Sequence, residues 1–341
     1  MKSKQVLLTG VTGFLGSHTA IQLLDKGYEV IGTLLTKDRI SSIKGIIGQH
    51  TDHLDKLHFA VADLSDPHVW NDLAKGVDFI QHVASPFPAT LPKNEDELII
   101  PAKNGVLNIL RAAVENNVKR VVMTSSLAAV AYGQQEKDPN KIFTENDWTD
   151  ISGKGDLTPY YKSKTIAEKV AWDFIGQEAG PLQLVTVCPG AILGPVIEKD
   201  YGTSAEIVVA LMNCSYPALP KIGFDLVDVR SVADLLILAM ESPKAAGNRY
   251  IAAAGYSTLK SVALILKENF PERKIPTTEF PNFITRMLAQ FRPELKPVLL
   301  EMVRRKTDLS KAQKELGWQP IPVTEAIIAC AKSLLELQIV K

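Results

Sequence analysis

The chain has 341 residues, of which 46% are hydrophobic and 22% are charged, as is typical of a globular protein with enough apolar side chains for a core. Its 38 Lys and Arg residues balance 38 Asp and Glu residues, so the net charge gives no reason to expect nucleic acid or an anionic membrane surface as a partner. The three cysteines are far apart in the sequence, which favours reduced thiols over a disulfide framework. No apolar run reaches about 18 residues and no signal-peptide pattern is seen, so we expect a cytoplasmic protein without a membrane span.

The first half of the sequence alternates short β-rich runs with helical patterns. Strands are predicted at residues 6–8, 30–33, 57–61, 79–83, 120–124 and 182–188, with helices between them at 14–26, 67–75, 95–116 and 159–176. This alternation implies a parallel sheet with helices on both faces and right-handed crossovers. The sequence therefore predicts an α/β fold, in which residues 1–190 form a Rossmann-type, doubly wound dinucleotide-binding domain.

The alternation ends after Pro189. Residues 192–226 are predicted to form loops around one helix at 204–212. A helix at 230–240 and a strand at 248–252 indicate that a segment of about 225–254 returns to the sheet. The remaining pattern is mostly helical and is broken by prolines. Residues 191–224 and 255–341 are thus expected to form a smaller, mostly helical substrate-binding lobe above the carboxyl ends of the strands.

A glycine-rich loop follows the first predicted strand, with the spacing G-x-x-G-x-x-G. Gly10 allows a sharp turn, Gly13 allows backbone N–H groups to approach a pyrophosphate, and Gly16 allows the helix to pack closely on the sheet. The helix N-terminus then stabilises the phosphate charge. The predicted dinucleotide contacts in this loop are Gly10, Thr12, Gly13, Phe14, Leu15 and Gly16.

The end of the second predicted strand bears on the choice of cofactor. NAD-binding domains usually carry an Asp or Glu there, which accepts hydrogen bonds from the adenosine ribose, but no acid lies near Leu34. Its absence permits NADPH, whose 2′-phosphate a carboxylate would repel, and Lys37, Arg39 or Lys44 could reach that phosphate. We expect NADP(H) as the preferred cofactor, with NAD(H) still possible.

Tyr160 and Lys164 stand four residues apart in a predicted helix, so their side chains share a face. A carbonyl that accepts hydride develops negative charge on oxygen, and a phenol can donate the proton. A nearby ammonium is expected to lower the pKa of the tyrosine. A serine hydroxyl can orient the carbonyl, and Ser126, after the fifth predicted strand, is the candidate, with Ser125 as the alternative.

Two other patterns carry less weight. Tyr256 and Lys260 repeat the Y-x-x-x-K spacing, but no serine-bearing strand end precedes them at a comparable distance, so we assign this match to chance. His50, His53 and His58 lie close together in sequence, yet no nearby cysteine completes a familiar ligand spacing. We expect no metal site.

These motifs resemble the extended short-chain dehydrogenase/reductase family, which is part of the NAD-dependent epimerase/dehydratase superfamily. Within it they look most like the dihydroflavonol-4-reductase-like branch, which also contains cinnamoyl-CoA reductases and microbial aldehyde and ketone reductases. The resemblance covers nearly the whole chain and includes residues 9–16, 82–88, 101–113, 120–126, 160–172, 187–190, 228–234 and 311–318.

The resemblance also implies roles for single residues. Asp63 and Leu64 match the position that contacts adenine, and a helix-capping role for Asp63 ahead of Pro67 is the alternative, although both could hold. Phe87 and Tyr201 are expected to line the substrate pocket beside Ser126 and Tyr160. Further cofactor contacts are implied for Leu35, Lys37, Ala84, Ser85, Pro86, Thr124, Tyr160, Lys164, Pro189, Gly190 and Ile192. Leu35 stands where NADPH-using relatives carry an arginine, and this departure keeps NAD(H) open.

Three functions fit these patterns. The first is an NADPH-dependent carbonyl reductase or alcohol dehydrogenase acting on a hydrophobic aldehyde, ketone or keto ester. The second is a nucleotide-sugar epimerase or dehydratase with tightly bound NAD, against which the missing acid counts. The third is a non-catalytic NADP(H)-sensing protein, for which a proton donor would be superfluous. The first fits best, and the oligomeric state stays open between monomer and homodimer.

Overall fold

The computed structural model describes residues 4–85, 94–133, 140–152, 157–178, 180–291 and 296–340. Its strands are β1 (Gln5–Thr9), β2 (Glu29–Leu34), β3 (Leu57–Val61), β4 (Phe79–His82), β5 (Arg120–Thr124), β6 (Ile142–Phe143), β7 (Gln183–Pro189), β8 (Ala191–Leu193), β9 (Gly223–Asp228), β10 (Arg249–Ala252), β11 (Gly255–Thr258) and β12 (Lys306–Thr307). Its helices are α1 (Phe14–Asp25), α2 (Arg39–Ile47), α3 (Pro67–Leu73), α4 (Asp96–Glu115), α5 (Pro159–Gln177), α6 (Glu206–Met212), α7 (Val229–Glu241), α8 (Leu259–Asn269), α9 (Asn282–Phe291), α10 (Lys296–Leu300), α11 (Ser310–Leu316) and α12 (Val323–Glu336). No helix in these ranges is long and apolar enough to cross a membrane.

Seven parallel strands form the main sheet, in the order β10-β7-β5-β4-β1-β2-β3. Helices α1, α2 and α7 pack in the core on one face, and α3, α4 and α5 pack in the core on the other. This arrangement confirms the predicted doubly wound Rossmann-type fold. The strand order changes direction between β1 and β4, and the loops that diverge at such a point leave a crevice at the carboxyl ends of the strands.

The apolar run of β1 follows from its burial on both faces. Val6 and Leu8 belong to the core beneath α1 and α7, whereas Leu7 belongs to the core beneath α4 and α5. Successive side chains of a strand point to opposite faces, and helices cover both faces of a parallel sheet. The three residues are therefore fully buried, and the strand carries the phosphate loop on a rigid base.

Side-chain caps fix where two of the helices begin. Asp66 accepts a hydrogen bond from the His68 N–H at 2.9 Å, and Pro67 opens α3. Thr158 accepts one from the Tyr161 N–H at 3.2 Å, and Pro159 opens α5. Such caps satisfy backbone donors that lack an intrahelical partner. The second cap places the predicted tyrosine in the first turn of α5.

The second part of the chain builds a three-stranded sheet in the order β11-β9-β8, with α6, α8 and α12 in the core beside it. The prediction of loops around a single helix for residues 192–226 was wrong at β8 and over the first part of β9. β8 has only three residues, too few to show an alternation of apolar and polar side chains. The predicted helix is present as α6, preceded by a 3₁₀ turn over Thr203–Ala205.

The last part of the chain returns to the main sheet. Trp318 is buried in the same core as β1, α1 and α7, and its Nε1 donates to the Ser231 carbonyl at 2.9 Å. β12 pairs with β6 in a separate two-stranded ladder. The C-terminal segment therefore braces the sheet as well as the smaller lobe.

Candidate active site

The phosphate loop has the geometry that its glycines predict. Gly10 has φ of +75°, a region that favours glycine, and its carbonyl accepts from the Gly13 N–H at 3.1 Å. A Cβ on Gly16 would collide with the Gly10 carbonyl. Helix α1 begins at Phe14, so the loop presents backbone N–H groups and a helix N-terminus to the crevice.

A buried polar network joins this loop to the end of β4, and the sequence alone did not suggest it. Thr9 Oγ1 lies 3.0 Å from His82 Nδ1 and accepts from the Ala84 N–H at 2.9 Å. Burial lowers the pKa of His82 to about 3, so the ring is neutral and can accept from the threonine hydroxyl. The network holds Ala84 against Gly10, where a Cβ would meet the alanine Cβ at 3.0 Å.

One cavity of about 580 Å³ runs along the carboxyl ends of the strands. Its lining includes nearly every predicted cofactor contact: Gly10, Thr12, Gly13, Phe14, Leu15, Gly16, Leu35, Asp63, Leu64, Ala84, Ser85, Thr124, Tyr160, Lys164, Pro189, Gly190 and Ile192. Lining residues that the sequence did not single out are Thr33, Leu34, Ala62, Trp70, Val83 and the run Gly202, Thr203 and Ser204. Lys37 is exposed and does not line the cavity. Pro86 lies outside the described residues.

The end of the cavity at Asp63 and Leu64, where adenine contacts are predicted, is held by backbone and side-chain hydrogen bonds. The Asp63 carboxylate accepts from the Ser65 N–H and hydroxyl, both at 2.8 Å, and its backbone carbonyl accepts from Trp70 Nε1. Asn108 Nδ2 donates to the Leu64 carbonyl at 2.9 Å. Asp63 is not the cap of α3, since Asp66 fills that role. These contacts leave Asp63 and Leu64 at the cavity wall in a fixed position.

The end of β2 carries no carboxylate among the residues that line this cavity. Leu35 is 68% exposed there. Arg39 opens α2, and its Nη2 pairs with Glu198 Oε2 of the second lobe at 2.6 Å. The Nε of Arg39 is buried with no hydrogen-bond partner in the described part of the chain. A cationic side chain thus lies within a few residues of Leu35, although it is already paired on one side.

Ser126 and Tyr160 meet at the far end of the cavity. A hydrogen bond joins their hydroxyl groups, and Ser126 Oγ also accepts from the Ala128 N–H at 3.1 Å. Burial raises the pKa of Tyr160, and the bond with Ser126 opposes that rise. The net direction is opposite to the lowering expected from Lys164, because burial of the phenol dominates. The phenol is therefore neutral near pH 7, the form that a proton donor needs.

Lys164 lies one helical turn after Tyr160 and is buried. Burial lowers the pKa of its ammonium to about 8, while the nearby Glu168 carboxylate and the Cys188 sulfur act in the opposite direction. The ammonium is thus charged below about pH 8 and loses its charge as the pH rises through that value. The charge of Lys164 near neutral pH depends on how far the Glu168 carboxylate offsets the lowering of this pKa by desolvation.

Glu168 is fully buried and organises the region behind the site. Its carboxylate accepts from Ser125 Oγ and Thr186 Oγ1, both at 2.6 Å, and pairs with Arg249 Nε at 2.8 Å. These partners come from the end of β5, from β7 and from β10. Ser125 is therefore committed to this carboxylate, whereas Ser126 faces the phenol. Sequence reasoning did not single out Glu168 or Arg249.

Comparison with known proteins identifies the family. Residues 6–255 match the NAD dependent epimerase/dehydratase family. The chain belongs to this family. An uncharacterized oxidoreductase of Schizosaccharomyces pombe is 34% identical over 287 residues, which cover 80% of this chain and 84% of that protein. Dihydroflavonol 4-reductase of Arabidopsis thaliana is 30% identical over 286 residues, which cover 81% of this chain and 72% of that protein.

A solved structure extends the family match to the whole chain. The crystal structure of the yeast methylglyoxal/isovaleraldehyde reductase Gre2 complexed with NADPH aligns with a TM-score of 0.83 at 28% identity, covering 99% of this chain and 100% of that one. Together with the Arabidopsis relative, it confirms the resemblance to the dihydroflavonol-4-reductase-like branch.

A second cavity of about 460 Å³ adjoins the first in this family member, and Ser126, Tyr160, Pro189 and Gly190 line both. Its further walls come from the part of the chain after Pro189 and include Phe224, Asp225, Tyr256, Glu301, Val303 and Thr307. The serine and tyrosine hydroxyls thus lie where the cavity of the predicted cofactor meets a space that a substrate could occupy.

A hydrogen-bonded cluster closes one side of the second cavity. Tyr132 and Tyr161 both donate to Glu301 Oε1, at 3.1 and 2.7 Å, and Arg305 Nη1 lies 3.3 Å from Glu301 Oε2. The Arg305 guanidinium also lies 4.0 Å from the centre of the Tyr132 ring. Burial raises the pKa of both phenols, so they stay neutral. The cluster attaches the segment after α10 to the start of α5.

Two predicted substrate contacts are not among the residues that line this second cavity. Tyr201 is half-buried, and its hydroxyl donates to Glu206 at 2.7 Å, while the following residues Gly202, Thr203 and Ser204 reach the cavities instead. Phe87 lies outside the described residues. Both assignments stay predictions.

Proposed function

We propose that the protein is an NADPH-dependent reductase that transfers hydride to an aldehyde, ketone or keto ester. One observation carries the proposal: Ser126 and Tyr160 are hydrogen-bonded to each other where the two cavities meet, one turn of helix from the buried Lys164. Sensing a nucleotide would need no such proton donor. Fold alone would not choose among reductase, epimerase and binding protein.

The residues present fit a dinucleotide. Backbone N–H groups of the Gly10–Gly16 loop would hold the pyrophosphate, Asp63 and Leu64 would contact adenine, and Pro189, Gly190 and Ile192 would flank the nicotinamide. The collision that a side chain at Gly16 would suffer with the Gly10 carbonyl supports the close packing of loop and helix that this fit needs. The bare end of β2 at Leu35 and the NADPH bound by the yeast relative favour NADPH over NADH.

The side chains then divide the chemistry. When bound, NADPH supplies the hydride. The Ser126 hydroxyl orients the carbonyl oxygen, and the Tyr160 Oη–H donates its proton to that oxygen as negative charge develops. The Lys164 ammonium stabilises the phenolate left behind and would also bond the nicotinamide ribose. Lys164 is buried and Ser126 and Tyr160 are half-buried, which limits the access of water and strengthens these interactions.

The test is the oxidation of NADPH, followed at 340 nm, against a panel of aldehydes, ketones and keto esters, with NADH in parallel. Tyr160→Phe should lower kcat by about 10²–10⁴-fold and leave NADPH binding intact. Tyr28→Phe, which removes a surface hydroxyl bonded to Glu241, is the matched control and should behave like the parent protein. No turnover of any carbonyl, with NAD released only on denaturation, would instead favour an epimerase or dehydratase.

A further inference from the structure

We call the second cavity, which Ser126 and Tyr160 line, the substrate cavity. A third cavity of about 340 Å³ adjoins it and has walls that are almost entirely apolar. It is formed by α6, the start of β9, α9 and Val298 of α10. Among its lining residues are Ile207, Ala210, Leu211, Leu219, Phe280 and Leu288. A pocket of this size is within the range that holds a small molecule or a substantial part of one.

The third cavity adjoins the substrate cavity along three segments of chain. Phe224 lines both cavities. The run before α6 lines the substrate cavity at Thr203 and Ser204 and the third cavity at Glu206 and Ile207. Val298 of α10 lines the third cavity, and Glu301, which follows α10, lines the substrate cavity. A molecule held at Tyr160 therefore has this apolar space as its neighbour past the Phe224 ring.

The wall of the third cavity has few polar groups: among its lining residues, side-chain oxygens are carried by Glu206, Tyr216 and Thr285. The Glu206 carboxylate accepts from the Tyr201 hydroxyl and is committed at the rim. The Thr285 hydroxyl is buried and has no hydrogen-bond partner among the described residues. The substrate cavity, in contrast, carries the Glu301 cluster and Asp225. The cavity walls are thus more polar in the substrate cavity, beside the Ser126 and Tyr160 hydroxyls, and more apolar in the third cavity.

We propose that this third cavity receives the distal apolar chain of the substrate, so that the preferred substrates are aldehydes and ketones with a long hydrocarbon substituent. The inference rests on the proposed reductase function. The carbonyl carbon accepts hydride from NADPH, which becomes NADP⁺, and the carbonyl oxygen accepts the Tyr160 proton to give the alcohol. The chain extends past Phe224, where burying each methylene group adds to binding.

The experiment is a homologous series of unbranched aldehydes from propanal to dodecanal, with kcat/KM measured for each. We expect an increase of about threefold per added methylene once the chain passes Phe224. Ala210→Phe, on a half-buried position of α6, fills the cavity and should remove that increase. Thr285→Val removes the unpartnered hydroxyl at nearly constant volume and should raise kcat/KM for long aldehydes. Leu264→Phe, at a 49% exposed position of α8, is the control and should leave the slope unchanged.

The outcomes are distinct. A slope lost in Ala210→Phe and kept in Leu264→Phe supports the inference. Turnover of short aldehydes with no dependence on chain length, or a slope that Ala210→Phe leaves intact, overturns it while the reductase function stands. No turnover at any length overturns both. A dimer in light scattering that Ala210→Phe dissociates would assign the cavity to a second copy of the chain and overturn the inference as well.

Discussion

Ser125 and Ser126 are neighbours in sequence with opposite surroundings. Ser125 is buried and donates to Glu168 at 2.6 Å, whereas the Ser126 hydroxyl is bonded to Tyr160 and lines both main cavities. Because successive residues of an extended segment point in opposite directions, the Ser125 hydroxyl bonds to Glu168, although the residue also lines the first cavity, and the Ser126 hydroxyl faces Tyr160. The sequence left the choice between them open, and the contacts favour Ser126 as the group that meets the substrate.

Substituting each serine separately should give opposite results. Ser126→Ala should lower kcat by about 10²-fold or more, as the loss of a donor to a developing oxyanion does, with little change in stability. Ser125→Ala should lower the free energy of unfolding by about 1.5–3 kcal/mol, because it removes a hydrogen bond to a buried charge. Steady-state kinetics and urea denaturation of both variants measure this. A larger loss of kcat in Ser125→Ala would reverse the assignment.

Leu35 offers a second prediction for a single residue. It is exposed at the end of β2, where the family resemblance predicts an arginine for an NADPH-using member, and Arg39 nearby is paired with Glu198. Leu35→Arg adds a cation where a 2′-phosphate would lie and should lower the Kd for NADPH about tenfold. The Kd for NADH should not change. Leu264→Arg, remote from the site, is the charge-matched control in the same fluorescence titration, and equal effects on both cofactors would contradict this reading of Leu35.

At the scale of elements, helix α5 carries the site. Tyr160, Lys164 and Glu168 follow each other at intervals of four, so they lie along one face. The Thr158 cap fixes where the helix starts, and the pairing of Glu168 with Arg249 fixes its position against β10. Glu168 therefore acts through Lys164 as a positioning residue, and its carboxylate also opposes the loss of charge on the buried ammonium.

Glu168→Gln should move the alkaline limb of the kcat/KM profile to lower pH. The carboxylate raises the pKa of Lys164 against desolvation, so its loss lowers that pKa below about 8, and the active cation is lost earlier as the pH rises. Arg249 would also be left buried without its carboxylate partner, at a cost of about 3–5 kcal/mol, although its bonds to the Glu145 and Asp147 carbonyls remain. Thr186→Val is the control: it removes one bond to Glu168 but keeps the charge, so stability should fall while the limb stays in place. An unchanged limb in Glu168→Gln would limit Glu168 to a structural role.

The long, periodic elements were predictable from sequence, and the short ones were not. The predicted strand at residues 57–61 matches β3, and the predicted start of α1 at Phe14 is correct, because the apolar pattern and the glycine boundary agree there. Helix α2 was missed, since only Ile43 and Ile47 of its residues are buried and Gly45 interrupts it. Two buried positions give too little periodicity for a prediction.

In the site, features that depend on local spacing could be predicted from the sequence, whereas contacts between residues far apart in the chain could not. The phosphate loop and the Tyr160–Lys164 spacing follow from local geometry, so they could be found in the sequence. The Thr9–His82 bond joins residues 73 apart, and the Glu168–Arg249 pair joins residues 81 apart. No spacing rule connects such positions, so only the folded arrangement of strands brings them together.

At the scale of the whole molecule, contacts between distant segments join the second lobe to the sheet. His18 Nε2 lies 2.9 Å from the Pro195 carbonyl, and Arg39 pairs with Glu198. Burial lowers the pKa of His18 to about 4, so a neutral ring makes this contact at physiological pH. The division into residues 1–190 with 225–254, and 191–224 with 255–341, stays a prediction. Trp318 belongs by sequence to the second group, yet it lies in the core of the first.

This placement of Trp318 predicts that the chain unfolds as one unit. Trp318→Ala would open a cavity beside α7 and leave the Ser231 carbonyl without the indole N–H, so the free energy of unfolding should fall by about 3–5 kcal/mol. Because the lost contacts join the C-terminal segment to the main sheet, circular dichroism and tryptophan fluorescence should report one shifted transition in urea. Phe283→Ala, at a 68% exposed position of α9, should change stability by less than about 0.5 kcal/mol. Two separate transitions in Trp318→Ala, with the sheet unfolding at its original urea midpoint, would show that the C-terminal segment packs on the sheet without stabilising it.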